Sequence, residues 1–416
     1  MLFSSLFAKT AEYEKLAHAL SAPGACALFG LPGSGRAMVY AALAKETGRF
    51  LCIVTPGEAE ATRFAGDLNA LGIPTAVFPA RDYVLRPIEG TAREYEYRRL
   101  SVLGDIVGGR LQAVCVPDEG LTQYTTPRAE FCANTRTLHP GDTLPRAELT
   151  ALLYGAGYAR RDQVDGPGQF SIRGDIADIY APDMKQPARM EFWGDEIDTM
   201  HTFDLATQRR EDPIEKIYVS PAREVLFGSP AEAAELLRAF IKKFRGKKRT
   251  ALEACLATEL AQLDGGALPV NMDKYLAVRY PQPATLLDYF DDPLLVLEEP
   301  ASLREAERAT TYRRGEEISA LLQDGVLAAG LDNLYAENGY LWAQAANHRT
   351  ICAENFARSM PDIPLKDIVN APAHTLPAWG GEVTSLLEDL QPLCNGGAAV
   401  TVLAGTQRAA AGLAAD

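Results

Sequence analysis

The amino-acid sequence predicts an α/β fold in which helices cover both faces of a doubly wound parallel sheet. Short apolar runs alternate with helical patterns from residue 25 onward, which is typical of βαβ units. A glycine loop stands between the first apolar run and its helix, where such folds bind nucleotides. A glycine-rich stretch with strand alternation interrupts the series at 128–210. We therefore expect a small α+β insertion there, and a small α/β domain at 326–416.

The order of the elements defines the predicted domains. In 1–127 the runs "FLCIVTP", "TAVFPA" and "LQAVCVP" are expected strands, and "GRAMVYAALAKETG" and "GEAEATRFAGDLNALG" are expected helices. The sheet resumes in 211–325, with a buried strand in "PLLVLEEP". The third domain has expected strands at "NGYLWAQ" and "AAVTVLAG". The chain stops in the helix after the last of these strands, so we expect it to be a piece of a longer protein.

The composition restricts the possible classes of function. Hydrophobic residues make up 47% and charged residues 23% of the 416, as in soluble globular proteins, and the net charge of −14 argues against a globally basic nucleic-acid-binding surface. The basic run at 242–249 is expected to lie in solvent at a helix C-terminus, with contact to DNA as the alternative. Seven cysteines without a C-x-x-C pair and five dispersed histidines predict no metal site. No apolar run is long enough to cross a membrane, and we expect a cytoplasmic monomer.

The glycine loop "GLPGSGRA" nearly matches a phosphate-binding loop. That pattern needs Lys and then Ser or Thr after the last glycine, whereas Gly30, Gly33 and Gly35 are followed here by Arg36 and Ala37. Arginine is longer and forked, so it does not reproduce the lysine geometry, and alanine has no oxygen to hold Mg²⁺. We expect a remnant of a nucleotide site, with weak nucleotide binding without hydrolysis as the alternative.

A second nucleotide signature is defective in the same way. The strand "PLLVLEEP" ends in Glu298 and Glu299, where a Walker B motif has Asp and Glu. The first acid is one methylene too long for tight Mg²⁺ geometry. A rival pair, Asp118 and Glu119, directly follows a proline and ranks lower. The sequence therefore predicts no catalytic residues in this chain.

Three stretches carry a resemblance to a known family. "GLPGSGR", "TLLDYFDDPLLVLEEP" and above all the residues from Gly168 to Arg209 resemble the excision-repair helicase UvrB. The chain is still more similar to the N-terminal UvrB-like region of the bacterial transcription-repair coupling factors, the Mfd family. UvrB keeps intact ATP motifs and a tyrosine-rich hairpin that probes damaged DNA. The stretch "VFPARDYVLRPIEGTAREYEYRRL" has no dense aromatic cluster, and helical packing explains Tyr95 and Tyr97.

The resemblance implies a RecA-like P-loop domain whose insertion binds UvrA and recruits it to RNA polymerase stalled at a lesion. In the family, the region is followed by an RNA-polymerase-binding domain and by an ATP- and Mg²⁺-dependent motor that moves on double-stranded DNA. A C-terminal domain masks the UvrA-binding face. The resemblance implies no cofactor and no catalysis in this chain. The alternative is a UvrB-like ATPase that binds nucleotide and DNA.

The candidate UvrA-binding residues lie on two predicted strands of the insertion. In "ARMEFWG", alternation places Met190 and Phe192 on one face, opposite Arg189 and Trp193. In "QFSIRG", Phe170 and Ile172 share the core face, whereas Ser171 and Arg173 point outward.

The family's UvrA-contacting positions match Arg173, Arg189 and Trp193, although the last is more usually Phe. Arg and Trp are enriched in interface hot spots. The alternative is that Trp193 fills a cleft and the arginines pair with Asp175, Glu191 or Asp195.

Overall fold

The computed structural model describes residues 8–86, 93–361, 363–371, 373, 382–398, 400, 402 and 406–415. The chain divides into two compact units, 1–371 and 372–416. Within the described part of the second unit, the regular elements are two helices. The first unit contains every strand that is described, and it holds all of the candidate site residues.

The described residues form fifteen strands, which alternate with helices in the first 120 residues and cluster in the insertion. In chain order they are β1 Gly24–Phe29, β2 Leu51–Thr55, β3 Thr75–Val77, β4 Ala113–Pro117, β5 Arg136–Leu138, β6 Ala159–Arg160, β7 Gln169–Arg173, β8 Ile176–Tyr180, β9 Ala188–Trp193, β10 Glu196–Phe203, β11 Arg210–Pro213, β12 Ile217–Val219, β13 Leu294–Glu298, β14 Arg349–Glu354 and β15 Leu365–Asn370.

The described residues also form fourteen α-helices. They are α1 Ala11–Ala19, α2 Gly33–Thr47, α3 Glu58–Ala70, α4 Glu94–Val107, α5 Asp118–Thr122, α6 Arg128–Ala133, α7 Arg146–Gly155, α8 Pro230–Lys242, α9 Gly246–Asp264, α10 Leu276–Arg279, α11 Pro300–Gln323, α12 Tyr340–Asn347, α13 Val383–Asn395 and α14 Gln407–Ala415. None of the helices in these described ranges combines the length and apolar character needed to span a lipid bilayer.

A parallel sheet of seven strands forms the centre of the first unit, in the order β15-β1-β14-β13-β2-β4-β3. Strands β2, β4 and β13 are buried along their whole length, as continuous apolar runs in a parallel sheet require. Two hydrophobic clusters cover the two faces. The predicted α/β class with a parallel sheet is confirmed, and the predicted strands at 50–56, 75–80, 111–117 and 293–300 are all present in it.

The segment after residue 325 differs from the prediction. "NGYLWAQ" was expected to be a strand, but it starts α12, whose buried Leu341 and Ala345 stand four residues apart, as on one helix face. The strands of this segment are β14 and β15, which belong to the main sheet, and β14 lies between β1 and β13. Much of the predicted strand "AAVTVLAG" lies outside the described residues.

The insertion contains a separate sheet of six strands in the order β11-β10-β9-β8-β7-β6. Its pairs from β7 to β11 are antiparallel, and their inner face packs against α7 and a cluster that includes Leu149, Phe170 and Met190. At its base, β5 pairs with β12, so the chain enters and leaves the insertion side by side. The predicted limits of the three domains, of which the first is split between 1–127 and 211–325, stay predictions.

The basic run occupies a helix start as well as a helix end. Helix α8 ends at Lys242, but α9 begins at Gly246, whose φ of 59° starts a new helix. Lys247 and Lys248 therefore lie in the first turn of α9 rather than at a C-terminus. The expectation that the whole run caps a helix C-terminus is wrong, because the turn at Gly246 divides it.

Candidate functional site

The outer face of the six-stranded sheet carries the three candidate UvrA contacts. Arg173 ends β7, and Arg189 and Trp193 lie on β9, with β8 between the two strands. Alternation sends Phe170 and Met190 into the core from the opposite face. The three candidates therefore share one face of the sheet.

Asp178 on β8 joins the two arginines. Its carboxylate accepts a hydrogen bond from Arg173 Nη2 at 2.9 Å and two from Arg189, from Nε at 2.6 Å and from Nη2 at 2.9 Å. Asp178 is fully buried and stands directly opposite Arg189 in the β8–β9 register. These hydrogen bonds raise the pKa of the Arg189 guanidinium further above its usual value. The sheet thus holds a fixed Arg–Asp–Arg cluster.

Two of the three expected alternative partners of the arginines, Asp175 and Glu191, pair with other residues. Asp175 lies 3.3 Å from Arg146, and Glu191 lies 3.5 Å from Arg210. Sequence reasoning missed Asp178. The available signal was an acid in the middle of the apolar strand "IADIY", where a buried carboxylate needs a cation nearby.

The three candidates differ in their exposure. The side chain of Trp193 is exposed, at 84% of its full area, so it does not fill a cleft. The side chain of Arg173 is 50% exposed, but that of Arg189 is only 15% exposed. Arg173 and Trp193 are therefore available to a partner, whereas Arg189 mainly supports the cluster. Ser171, expected to face solvent, is buried and donates to the Asp162 carbonyl.

Two glycine turns next to each other hold Trp193 at the tip of its hairpin. Gly174 and Gly194 turn the chain with φ of 59° and 64°. The Phe192 amide donates to the Asp175 carbonyl at 2.8 Å and so ties one turn to the other. Arg146, a residue that sequence reasoning also missed, donates to the Gly194 carbonyl at 2.8 Å. These hydrogen bonds fix the backbone that carries the exposed indole.

His201 lies on the same face, opposite Arg189 in the β9–β10 register. Burial and the nearby Arg210 lower the pKa of its imidazole. Among the described residues, neither of its ring nitrogens has a hydrogen-bond partner. The face therefore keeps its positive charge on arginines and not on this histidine.

The structure brings the two defective nucleotide motifs together. Arg36 is buried, and its guanidinium pairs with Glu299 at 2.8 Å and with Glu298 at 3.3 Å. The Tyr40 hydroxyl also donates to Glu298. The rival acids Asp118 and Glu119 lie at the start of α5, where Glu119 pairs with Arg313 of α11.

Of the three loop glycines, Gly30 is the one that its backbone and surroundings require. At Gly30, φ is 89° and an added Cβ would lie 2.8 Å from the Ala371 carbonyl oxygen, so this position requires glycine. Gly33 already begins α2, and the same added atom at Gly33 or Gly35 would make ordinary contacts of 3.4 Å and 3.5 Å. Ala37 is buried and carries no oxygen.

In this arrangement a cation of the chain already engages both carboxylates that would face a magnesium ion. The described residues contain no group of three or more His, Cys, Asp and Glu that could hold a metal ion.

The tyrosine stretch at 77–100 is a helix in part. Tyr97 lies in α4 and packs against the core, whereas Tyr95 on the same helix is exposed. Residues 87–92 of this stretch lie outside the described residues.

Comparison with known proteins gives two results. Residues 137–225 match the model of the UvrB interaction domain. The chain is also similar to the transcription-repair-coupling factor of Bacillus subtilis, with 27% identity over 375 residues, which cover 88% of this chain and 32% of the relative. For the protein of that name from Haemophilus influenzae the identity is 27% over 67% of this chain, and for that from Staphylococcus epidermidis it is 23% over 91%. The chain spans about a third or less of the length of these relatives.

Proposed function

We propose that this chain, a homologue of the transcription-repair-coupling factors with a UvrB interaction domain, recruits UvrA in transcription-coupled repair. One observation carries the proposal. Trp193 is 84% exposed at the tip of a hairpin in the matched domain, on the same face as the half-exposed Arg173. Trp and Arg are enriched in interface hot spots, so an exposed indole on the same face as a half-exposed arginine fits a contact surface.

The surroundings of Trp193 suit a binding hot spot. Aromatic and Arg side chains contribute most to interface energies when they are held in place before binding. Asp178 holds Arg173 and Arg189, and the joined turns fix the tip that carries Trp193. We infer that Trp193 and Arg173 contact UvrA, while Asp178, which Arg189 holds, keeps Arg173 in position.

We further propose that this chain does no chemistry. The Arg36 pairs with Glu298 and Glu299 support this, because they occupy the groups that an ATPase would need free. We propose that other parts of a longer protein bind RNA polymerase, ATP, Mg²⁺ and double-stranded DNA. We also propose that one of its domains masks the outer face of the six-stranded sheet, which carries Arg173 and Trp193. We propose that the protein works in the bacterial cytoplasm, with this region acting as a monomer.

Calorimetric titration with purified UvrA tests the recruitment proposal. Trp193→Ala and Arg173→Ala should each weaken binding by about 2 kcal/mol, or roughly thirtyfold, the usual cost of removing a hot spot. Phe356→Ala is the matched control, because Phe356 is an exposed aromatic outside the insertion, and it should bind like the wild type. Wild-type affinity in both site variants, or no binding by the wild type, would overturn the proposal.

A further inference from the structure

A groove lies on the opposite side of the six-stranded sheet from Trp193. It has a volume of about 580 Å³, and it runs between the end of α7, the chain after β12 and the loop after α9. We call it the Arg223 groove, and its main lining residues are Tyr154, Tyr158, Arg223, Phe227, Leu268 and Val270. Its size is within the usual range of ligand-binding clefts.

The rim of the groove is apolar and exposed. Tyr154, Leu268 and Val270 are each more than 40% exposed, although apolar side chains of this size are usually buried. Tyr154 packs edge-on against Phe170, with ring centres 5.3 Å apart, and this contact fixes its orientation. On the opposite wall, Arg93 donates to the Val270 carbonyl at 2.9 Å. The apolar rim is therefore held in place before any ligand arrives.

Arg223 lines this groove with a cationic side chain. Its Nη1 is buried and has no hydrogen-bond partner among the described residues. Its side chain passes over Gly157, where an added Cβ would lie 2.7 Å from Arg223 Cγ. The described lining residues include no Asp or Glu, in a chain whose net charge is −14. The Arg223 side chain is only partly exposed, so water solvates its guanidinium poorly, and a carboxylate in the groove would supply a charged partner.

We propose that the Arg223 groove binds a peptide segment of a partner protein, in which a carboxylate stands between large apolar side chains. The carboxylate would pair with the part of the Arg223 guanidinium that the groove exposes, and the apolar side chains would cover Leu268, Val270 and Tyr154. The charge complementarity selects an acidic segment, and the exposed rim on both walls favours an extended peptide over an enclosed small molecule. This site is independent of the UvrA proposal, because Tyr154 packs on the core face of β7 and Arg173 lies on its other face.

Fluorescence anisotropy with two labelled, terminally blocked peptides tests the site. The probes are Leu-Phe-Asp-Leu-Phe and its isosteric partner Leu-Phe-Asn-Leu-Phe. The wild-type chain should bind the Asp peptide about tenfold more tightly than the Asn peptide, since a charged partner strengthens the hydrogen bond to Arg223. Arg223→Gln should remove this preference, whereas Arg223→Lys should keep part of it. Leu268→Ser should weaken binding of both peptides.

UvrA affinity is the control that separates the two sites. It should be unchanged in Arg223→Gln, which also shows that the insertion is folded. The proposal is overturned if the wild type does not prefer the Asp peptide, or if it binds neither probe at about 1 mM, a concentration that detects even weak complexes. A preference that survives in Arg223→Gln would equally overturn it.

Discussion

Removing the Asp178 carboxylate should loosen the insertion far more than removing Arg173. In Asp178→Ala, the guanidinium of Arg189 loses its two hydrogen bonds to this carboxylate and stays mostly buried, with 15% of its side chain exposed. In Arg173→Ala, the buried carboxylate keeps both hydrogen bonds from Arg189. The two variants thus separate support of the sheet from contact with a partner.

The structure sets the size of each effect. A hydrogen bond to a charged group contributes about 1.5–3 kcal/mol, and breaking a fully buried ion pair costs about 3–5 kcal/mol. Arg189 donates two such bonds to Asp178 but retains some exposure, so we expect a loss of about 3 kcal/mol in Asp178→Ala. Arg173 is half exposed, and its pair falls in the range of surface ion pairs, about 0–1 kcal/mol.

Native-state hydrogen exchange of the amides in β8 and β9 measures both effects, because it reports the local opening free energy. Asp178→Ala should accelerate exchange there by about a hundredfold, and Arg173→Ala by less than about fivefold, since 1.4 kcal/mol corresponds to a factor of ten. The amides of β2 in the main sheet provide the internal reference. Equal effects of the two substitutions, or unchanged exchange in Asp178→Ala, would refute this account of the cluster.

Two further predictions concern the cluster of Arg36, Glu298 and Glu299. Burial raises the pKa of Glu298 to about 7 from 4.5, even though Arg36 lowers it. The folded state then binds more protons between these pH values, so the free energy of unfolding should fall by about 3 kcal/mol as the pH rises through this window. Urea denaturation should show this decline in the wild type and a smaller decline in Glu298→Gln. Part of the decline should remain in the variant, because burial also raises the pKa of Asp118 to about 7. An identical change of the unfolding free energy with pH in the two proteins would contradict the prediction. In a phosphate-release assay with ATP and Mg²⁺, the chain should show no turnover, whereas turnover that Glu299→Gln abolishes would support the alternative UvrB-like ATPase.

Continuous apolar runs made the main sheet predictable. Strands such as β2 and β13 are buried on both faces, so their sequences need no alternation, and glycine or proline ends them. Alternation was equally informative in β9, where Met190 and Trp193 lie on opposite faces. The strand prediction for "NGYLWAQ" was wrong because a short run of aromatic and apolar residues fits either a strand or a buried helix. Periodicity alone does not separate the two.

Contacts between distant parts of the chain were not predictable. The partner of Arg189 depends on the β8–β9 register, which places Asp178 opposite it. The sequence indicates that both strands exist but does not give this pairing. In the same way, β14 enters between β1 and β13, about 50 residues after β13 ends, and no local pattern specifies that position. The Arg36 pairs with Glu298 and Glu299 follow from this arrangement of strands.

The backbone at Glu299 shows how the glycine loop is joined to the end of β13. Glu299 has a φ of 51°, an unfavourable conformation for a non-glycine residue, directly before α11. Such a conformation persists only where surrounding contacts enforce it. Its amide donates to the Ala353 carbonyl at 2.8 Å, and its carboxylate meets Arg36, so β14 and α2 both hold this one residue. The cluster therefore links β14, α2 and the start of α11 at the carboxyl edge of the sheet. We expect these contacts to stabilise the main sheet, and thereby the position of the inserted sheet that carries the proposed binding residues Arg173 and Trp193.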